Sequence, residues 1–492
     1  MSELLDLPVH GLVTAMRRGD VTATEVCDAH IAHLERVNPA LNAMVADRLG
    51  DARAEARAAT ERYARGGDDL PPLLGVPCTI KEIMAVRGMP HTAGIPARRT
   101  LIADRDATVV ERVRAAGAII LGVTNVPEGG MWMETHNRLW GRTSNPWHLG
   151  RTPGGSSGGE AALVAVGASP FGVGSDVGGS IRIPAAFCGV FGHKPSGRLV
   201  PNTGHWPGGD ASAGVLTIGP ITRTADDLWP LLRILAGPDG EDACVIERAI
   251  EDPAAIDPRQ LTVYPVPGNG RTRVAPEVRA AVERAGDALV DAGARLGHLP
   301  EARLSKALEI WAGTMANLGA ATYAELLGDG EAIPIARELV KLAAGRSAHT
   351  LPAVVTAGLQ QLDGLAKGML EKSALAGRAL QAELEALLGP HGVLLHPPYA
   401  TTAPRHVLAL LRPLDFVCTG LFNALEFPST VAPVGFDKHR LPLGVQIIGA
   451  RGRDQVTIAA ARVLERQLGG WVRPPVPTPR KSLFAPLLDY RR

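Results

Sequence analysis

The chain lacks any cysteine pattern. Its 492 residues hold five cysteines, Cys27, Cys78, Cys188, Cys244 and Cys418, which are odd in number, scattered and without the close spacing of metal ligands. That excludes a disulfide framework or a zinc knuckle and leaves reduced thiols in a reducing compartment. There is no charge excess either: 51 Lys and Arg face 50 Asp and Glu, with no long block of one sign, so nucleic acid and anionic membrane surfaces are not expected partners. A small, mostly uncharged substrate is. No uninterrupted apolar run reaches the roughly 18 residues a bilayer span needs. The start, Met1-Ser2-Glu3-Leu4-Leu5-Asp6, carries acids where a secretory signal needs a basic region. A soluble, cytoplasmic protein is therefore expected, and no cofactor or metal is called for. With no internal repeat, low-complexity tract or linker, residues 1–492 are expected to form one unit, long for a single domain.

What the chain does have is concentrated between Arg151 and Pro184. Pro153-Gly154-Gly155-Ser156-Ser157-Gly158-Gly159-Glu160 is followed by a small apolar run and then by Gly174-Ser175-Asp176-Val177-Gly178-Gly179-Ser180-Ile181-Arg182. Glycine-rich turns at both ends of a short connection bring hydroxyls together, because glycine takes backbone angles that a side chain forbids. In the second turn, successive N–H groups from Val177 through Gly178 and Gly179 to Ser180 can curl into a concave anion site. If Ser180 attacks a carbonyl, those donors point at the oxyanion, and losing one such donor typically costs about 10²–10³ in rate. A plain strand-to-helix turn explains the same residues without chemistry.

The first turn fits G-x-S-x-G, the nucleophile elbow of α/β-hydrolases, which must follow a strand directly. The preceding Asn145–Pro153 contains two prolines and no alternation, a poor strand. A phosphate loop needs Gly-Lys-Ser/Thr, where Gly158-Gly159-Glu160 offers an acid. A serine needs a base. The nearest histidines, His148, His193 and His205, form no suggestive arrangement, whereas Gly75–Ile83 is a short apolar strand with one lysine, Lys81, near its end. A lone lysine at a strand end ordinarily points to solvent.

Lys81 and the two turns, at these separations, resemble the amidase signature family. The likeness runs from about Leu73 to Gly237 and returns over Phe422–Glu465. Met131-Trp132-Met133-Glu134, Phe191–Ser196 and Gly469-Gly470-Trp471-Val472 are similar to the branch that includes the second type of fatty-acid amide hydrolase. The resemblance implies an α/β fold, a single large domain with a central mixed twisted sheet covered by helices on both faces. It implies a Ser-Ser-Lys triad: Ser180 as nucleophile, Ser156, after a cis peptide bond, as bridge, and Lys81 as base. It places Gly130 and Met131 nearest the substrate carbonyl, makes Asp176 and Arg182 an ion pair that supports the turn, and suggests a homodimer. Ser157 and Ser175 are expected to complete the polar network. The motif core spans 73–237, a variable helical wall about 240–420, and a return to the sheet 421–472.

In chain order, Thr22-Ala23-Thr24-Glu25 predicts a capped helix that buries Val26, Leu34 and Val37 and stops before Asn38-Pro39. A second helix is expected over Leu49–Tyr63. Asp106 is a candidate cap for a helix through Val109, Val110 and Val113. Ala118–Val123 reads as a strand buried on both faces. Asn125–Glu128 opens a helix-like segment, and helices are expected over Ala161–Val166, Ala225–Leu235, Pro276–Ala294, Ser305–Leu327, Ala366–Leu388 and Gln455–Leu468. Leu443–Gly449 reads as a strand and Pro474–Pro479 as an extended tail.

The expected chemistry is acyl transfer to Ser180 on a small, apolar or aryl amide, with carbamates (urethanes) and esters as relatives. For Lys81 to act as a base near neutrality its pKa must fall from about 10.4 by about 2–3 units, which burial without a close carboxylate can supply. Other readings remain: the amidase subunit of a tRNA-dependent amidotransferase, an α/β-hydrolase using Ser156 or Ser157, or an inactive binding protein.

Overall fold

Ile119–Thr124 is buried at every residue, the condition under which a strand needs no polar face. In the computed structural model, which describes residues 3–67, 69–208, 214–318, 321–361 and 367–475, it lies second from one edge of an eleven-stranded mixed sheet. The order across the sheet is Met44–Asp47, Ile119–Thr124, Pro77–Lys81, Phe171–Asp176, Thr217–Thr222, Phe191–Lys194, Ser429–Phe436, Pro442–Gly449, Gly392–His396, Thr262–Pro265 and Arg295–Leu296. Pro77–Lys81 pairs in parallel with Ile119–Thr124 on one side and with Phe171–Asp176 on the other. Their C-terminal ends, carrying Lys81 and Ser175, therefore leave the sheet at the same edge. Antiparallel pairing of Ser429–Phe436 with Phe191–Lys194 brings the end of the chain back into the sheet.

Helices cover both faces. Along each strand, successive side chains point to opposite sides, and they join different clusters. Val393 and Leu395 pack with Val282, Leu289, Val456 and Leu464 on one face, while Leu394 packs with Ile310, Leu384 and Leu421 on the other. The helix Gly158–Val166 is buried at all nine residues. One side meets Ile31 and Leu34 of the helix Ala23–Leu41, and the other meets Ile181 and Ala185. A helix enclosed on every side needs no polar stripe, and its alanines let the neighbours approach. This small-residue helix follows Ser156 and holds the first turn against the sheet.

Several boundaries differ from expectation. The Thr22 capping box is present and the helix buries Val26, Leu34 and Val37, but it runs through Pro39 to Leu41. Asn42 closes it in a left-handed conformation, and the Asn38 side chain ties the next residues, accepting from the Ala43 and Met44 N–H groups. Asp106 does not cap Thr108–Ala115, whose N-cap is Ala107; its carboxylate instead accepts from the Arg87 N–H and Arg114 Nε. The segment after Asn125 makes only a short 3-10 turn, Glu128–Gly130, because Gly129 and Gly130 both have positive φ. The helical pattern over Ser305–Leu327 divides into Ala307–Ala316 and Tyr323–Leu327. Two further helices, Ile335–Ala343 and Leu351–Gln360, lie in the variable wall; the second opens on a Thr350 cap with Pro352 in its first turn. Of the expected tail Pro474–Pro479, residues 476–479 lie outside the described residues, as does the start of the helix expected from Ala366.

Candidate active site

Lys81 does not reach solvent. It is 1% exposed, enclosed because its strand is flanked on both sides and the serine turns close over its end. Nζ lies 2.8 Å from Ser156 Oγ, 3.0 Å from Ser175 Oγ and 3.2 Å from the Ser175 carbonyl oxygen. Burial pushes its pKa from an ordinary 10.5 down to about 7, against smaller opposing pulls from Asp176 and Glu160. Glu160 is itself pushed up to about 8 by burial, although Thr79 and Thr124 hydroxyls donate to it. Near neutrality the pocket thus tolerates an uncharged amine beside an uncharged acid, the combination that desolvation favours.

The two serine turns are joined through their backbones. The Ser157 N–H donates to the Ser180 carbonyl at 3.0 Å, and the Gly155–Ser156 peptide bond is cis. A side chain at Gly155 would put a Cβ 2.4 Å from the Trp132 carbonyl oxygen, so glycine is required there for the turn to pack. Among the described residues no hydrogen bond joins Ser156 Oγ to Ser180 Oγ. Ser156 is 2% exposed, while Ser180 is partly exposed.

The second turn is built around Asp176. Its carboxylate accepts from the N–H groups of Gly179 (2.7 Å) and Ile181 (2.9 Å), from Arg182 Nε (3.1 Å) and Nη2 (2.9 Å) and from Asn423 Nδ2 (3.0 Å). Both ions are fully buried, and Arg182 holds the Asp176 pKa well below the usual carboxylate range. Arg182 also donates to the Thr419 carbonyl, to Gln446 Oε1 and to Asn423 Oδ1. The expected ion pair is present, but the Gly179 N–H, one of the four donors expected to face an oxyanion, is engaged by Asp176. Among the described residues no acceptor meets the N–H groups of Val177, Gly178 and Ser180.

A family model, Amidase, matches residues 25–458. The chain belongs to the amidase family. It is 39% identical to fatty-acid amide hydrolase 2-A of Danio rerio over 96% of this chain and 90% of the relative. It is 33% identical to a glutamyl-tRNA(Gln) amidotransferase subunit of a Roseiflexus species over 93% and 95%. The crystal structure of a bacterial aryl acylamidase belonging to the amidase signature enzymes superposes with a TM-score of 0.77 at 26% identity, covering 94% of this chain and 96% of that one. The protein is accordingly an amidohydrolase.

Of the other expected residues of this amidase, Gly130 adjoins Ser156. A Cβ placed on Gly130 would lie 2.6 Å from Ile83 Cδ1 and 3.7 Å from Ser156 Oγ, so a glycine is needed against Ile83. Met131 packs against Ile95 and Tyr323, and Trp132 and Phe416 against Phe187 and Tyr399. Ser157 Oγ donates to the Ser175 carbonyl at 3.3 Å. Of the three histidines, His148 is exposed and His193 binds Asp454 and Thr430. His205, which its sequence neighbours do not mark, stands with Nε2 2.8 Å from Ser175 Oγ. Thr419, Asn423 and Gln446 also escape sequence reasoning: Phe422–Glu465 is legible as a return to the sheet, but nothing local marks these polar residues as partners of a turn some 240 residues earlier. Grooves of about 730 and 190 Å³ are not lined by Lys81, Ser156 or Ser180, although Glu128, Trp132 and Tyr323 line the smaller one. Among the described residues no cluster of three or more His, Cys, Asp or Glu is placed to hold a metal, and no helix is long and apolar enough to cross a membrane.

Gly179 has φ +127°, and a Cβ there would meet Thr419 Oγ1 at 2.2 Å. Gly179→Ala is expected to displace the turn while sparing the sheet. A drop of about 10²-fold in amide hydrolysis, with an unchanged far-ultraviolet circular dichroism spectrum, is the anticipated outcome.

Proposed function

We propose that this amidohydrolase cleaves small apolar or aryl amides through an acyl-enzyme on Ser180. Neutral Lys81 takes the proton of Ser156 as Ser156 takes that of Ser180, and Ser180 Oγ bonds to the carbonyl carbon. The N–H groups of Val177, Gly178 and Ser180 receive the oxyanion, and that of Gly179 shapes their turn through Asp176. The proton returns from Lys81 through Ser156 to the leaving nitrogen, which must depart as a neutral amine. Water then attacks the ester by the same relay and releases the acid. The observation that carries this reading is the buried Lys81 amine, its pKa lowered to about 7, 2.8 Å from Ser156 Oγ. The second link, from Ser156 Oγ to Ser180 Oγ, is not a hydrogen bond among the described residues; such contacts commonly tighten only when substrate is bound.

The preference for apolar groups is supported by what surrounds the turn. The Trp311 and Phe416 rings meet edge-on at 4.7 Å, Trp311 Nε1 donates to the Val177 carbonyl at 3.2 Å, and both aromatics are half-buried. Carbamates and esters present the same carbonyl and belong to the proposed range. A free-standing enzyme, rather than one component of an amidotransferase, is supported by the higher identity to fatty-acid amide hydrolase 2-A. The test is to label the protein with a fluorophosphonate, map the modified peptide, and then assay anilides, primary amides and carbamates. Label on Ser180, with anilides turned over faster than primary amides, is expected. Label on Ser156 or Ser157 would transfer the nucleophile to the elbow.

A further inference from the structure

We infer that His205 is a positioning residue that sets the direction of proton flow at Lys81 by consuming the hydroxyl proton of Ser175; this rests on Lys81 being the base proposed above. The argument is a count of protons. His205 Nδ1 lies 2.8 Å from the Pro207 carbonyl oxygen, which can only accept, so Nδ1 carries the hydrogen. A neutral imidazole has one N–H, so Nε2 is a bare acceptor. Its partner at 2.8 Å is Ser175 Oγ, which must donate its single proton there. His205 is 8% exposed, and burial holds its pKa down to about 3, so the neutral form persists through the working range.

The consequence falls on the amine. A neutral lysine has two N–H groups and one lone pair. Three oxygens surround Nζ: Ser175 Oγ at 3.0 Å, the Ser175 carbonyl at 3.2 Å and Ser156 Oγ at 2.8 Å. The carbonyl can only accept. Ser175 Oγ, its proton committed to His205, can also only accept. Both N–H groups are therefore spent on Ser175, and the lone pair is left facing Ser156, whose O–H donates to it. The lone pairs of Ser156 Oγ are then available to Ser180. When the amine takes the Ser156 proton, the two bonds to Ser175 are unchanged, so the only proton that moves is on the Ser156 edge. Without the imidazole, Ser175 O–H is free to donate to the lysine lone pair and to compete with Ser156 for it.

A double-mutant cycle separates this role from a packing role. Acylation is followed as the rate of fluorophosphonate labelling at pH 7.5 in the native protein, His205→Phe, Ser175→Ala and the double variant. His205→Phe is expected to slow labelling by about tenfold or more in the native background and to leave the rate of Ser175→Ala where it stands, since the competing hydroxyl is gone. A native labelling rate in His205→Phe, or the same factor lost in both backgrounds, overturns the inference. Should His205→Phe fold poorly, neutron diffraction on the native protein decides it instead. A deuteron on Nδ1 and none on Nε2 supports the assignment, and a deuteron on Nε2 overturns it. Lys81→Met is run alongside: if it abolishes labelling while His205→Phe does not slow it, only the role of His205 falls, and if neither variant affects labelling the lysine relay itself is wrong.

Discussion

Lys81→Met is expected to remove the rising limb of the pH–rate profile for acylation and to lower the rate at pH 8 by about 10³–10⁴-fold. With a folded pKa of about 7, the native rate should climb about tenfold per pH unit below 7 and level off above about 8, because only the uncharged amine is a base. At an unshifted 10.5 only about three molecules in 10⁴ would carry a neutral amine at pH 7; burial raises that fraction by about three orders of magnitude. Stability follows pH in the same direction as the rate. The folded pKa lies below the unfolded one, so the unfolded chain binds the extra proton between about pH 7 and 10.5, and the native fold loses stability as pH falls through that window. Methionine fills the volume without a charge to desolvate, so the thermal midpoint of Lys81→Met at pH 7 should not fall below that of the native protein. Stopped-flow acylation across pH 5.5–9, paired with calorimetry, checks both. A limb that survives in Lys81→Met assigns the base elsewhere.

The second large effect is expected from Asp176→Asn. It leaves the fully buried Arg182 guanidinium without its counter-charge, and breaking a buried pair from one side typically costs about 3–5 kcal/mol. The backbone N–H groups of Gly179 and Ile181 lose their charged acceptor at the same time, so hydrolysis should fall with stability. Because the Asp176 pKa is depressed in the fold, its contribution is present above the unfolded carboxylate value near 4 and is lost progressively as pH falls below it. Urea titrations at pH 7 and at pH 3.5 should show a gap between native and variant that narrows at the lower pH. An equal gap at both values would show that the charge of Asp176 does not matter.

Local signals suffice where a short stretch decides its own conformation. The capping box at Thr22, the doubly buried strand at Ile119–Thr124 and the glycine turns around Ser156 and Ser180 all depend on neighbours within a few residues. They mislead where distant groups intervene. Pro39 signals a helix stop, yet the chain continues to Leu41. Asp106 has a capping residue's chemistry but is held by Arg87 and Arg114. Gly179 counts among the oxyanion donors by sequence because its N–H belongs to the same run, and only the folded turn shows that Asp176 takes it. His205 offers no signal at all, since nothing near it in sequence indicates that Ser175 lies within 2.8 Å.

Sequence alone determined which chemical groups this protein has at its disposal and in what spacing, one lysine and two glycine-flanked serine turns, because turn geometry and hydroxyl placement are local properties of the backbone. Tertiary structure decided the charge of Lys81 and the direction of each hydrogen bond around it. Desolvation comes from strands and turns that fold over the amine from far along the chain, and a hydroxyl points its proton according to which acceptor packs against it.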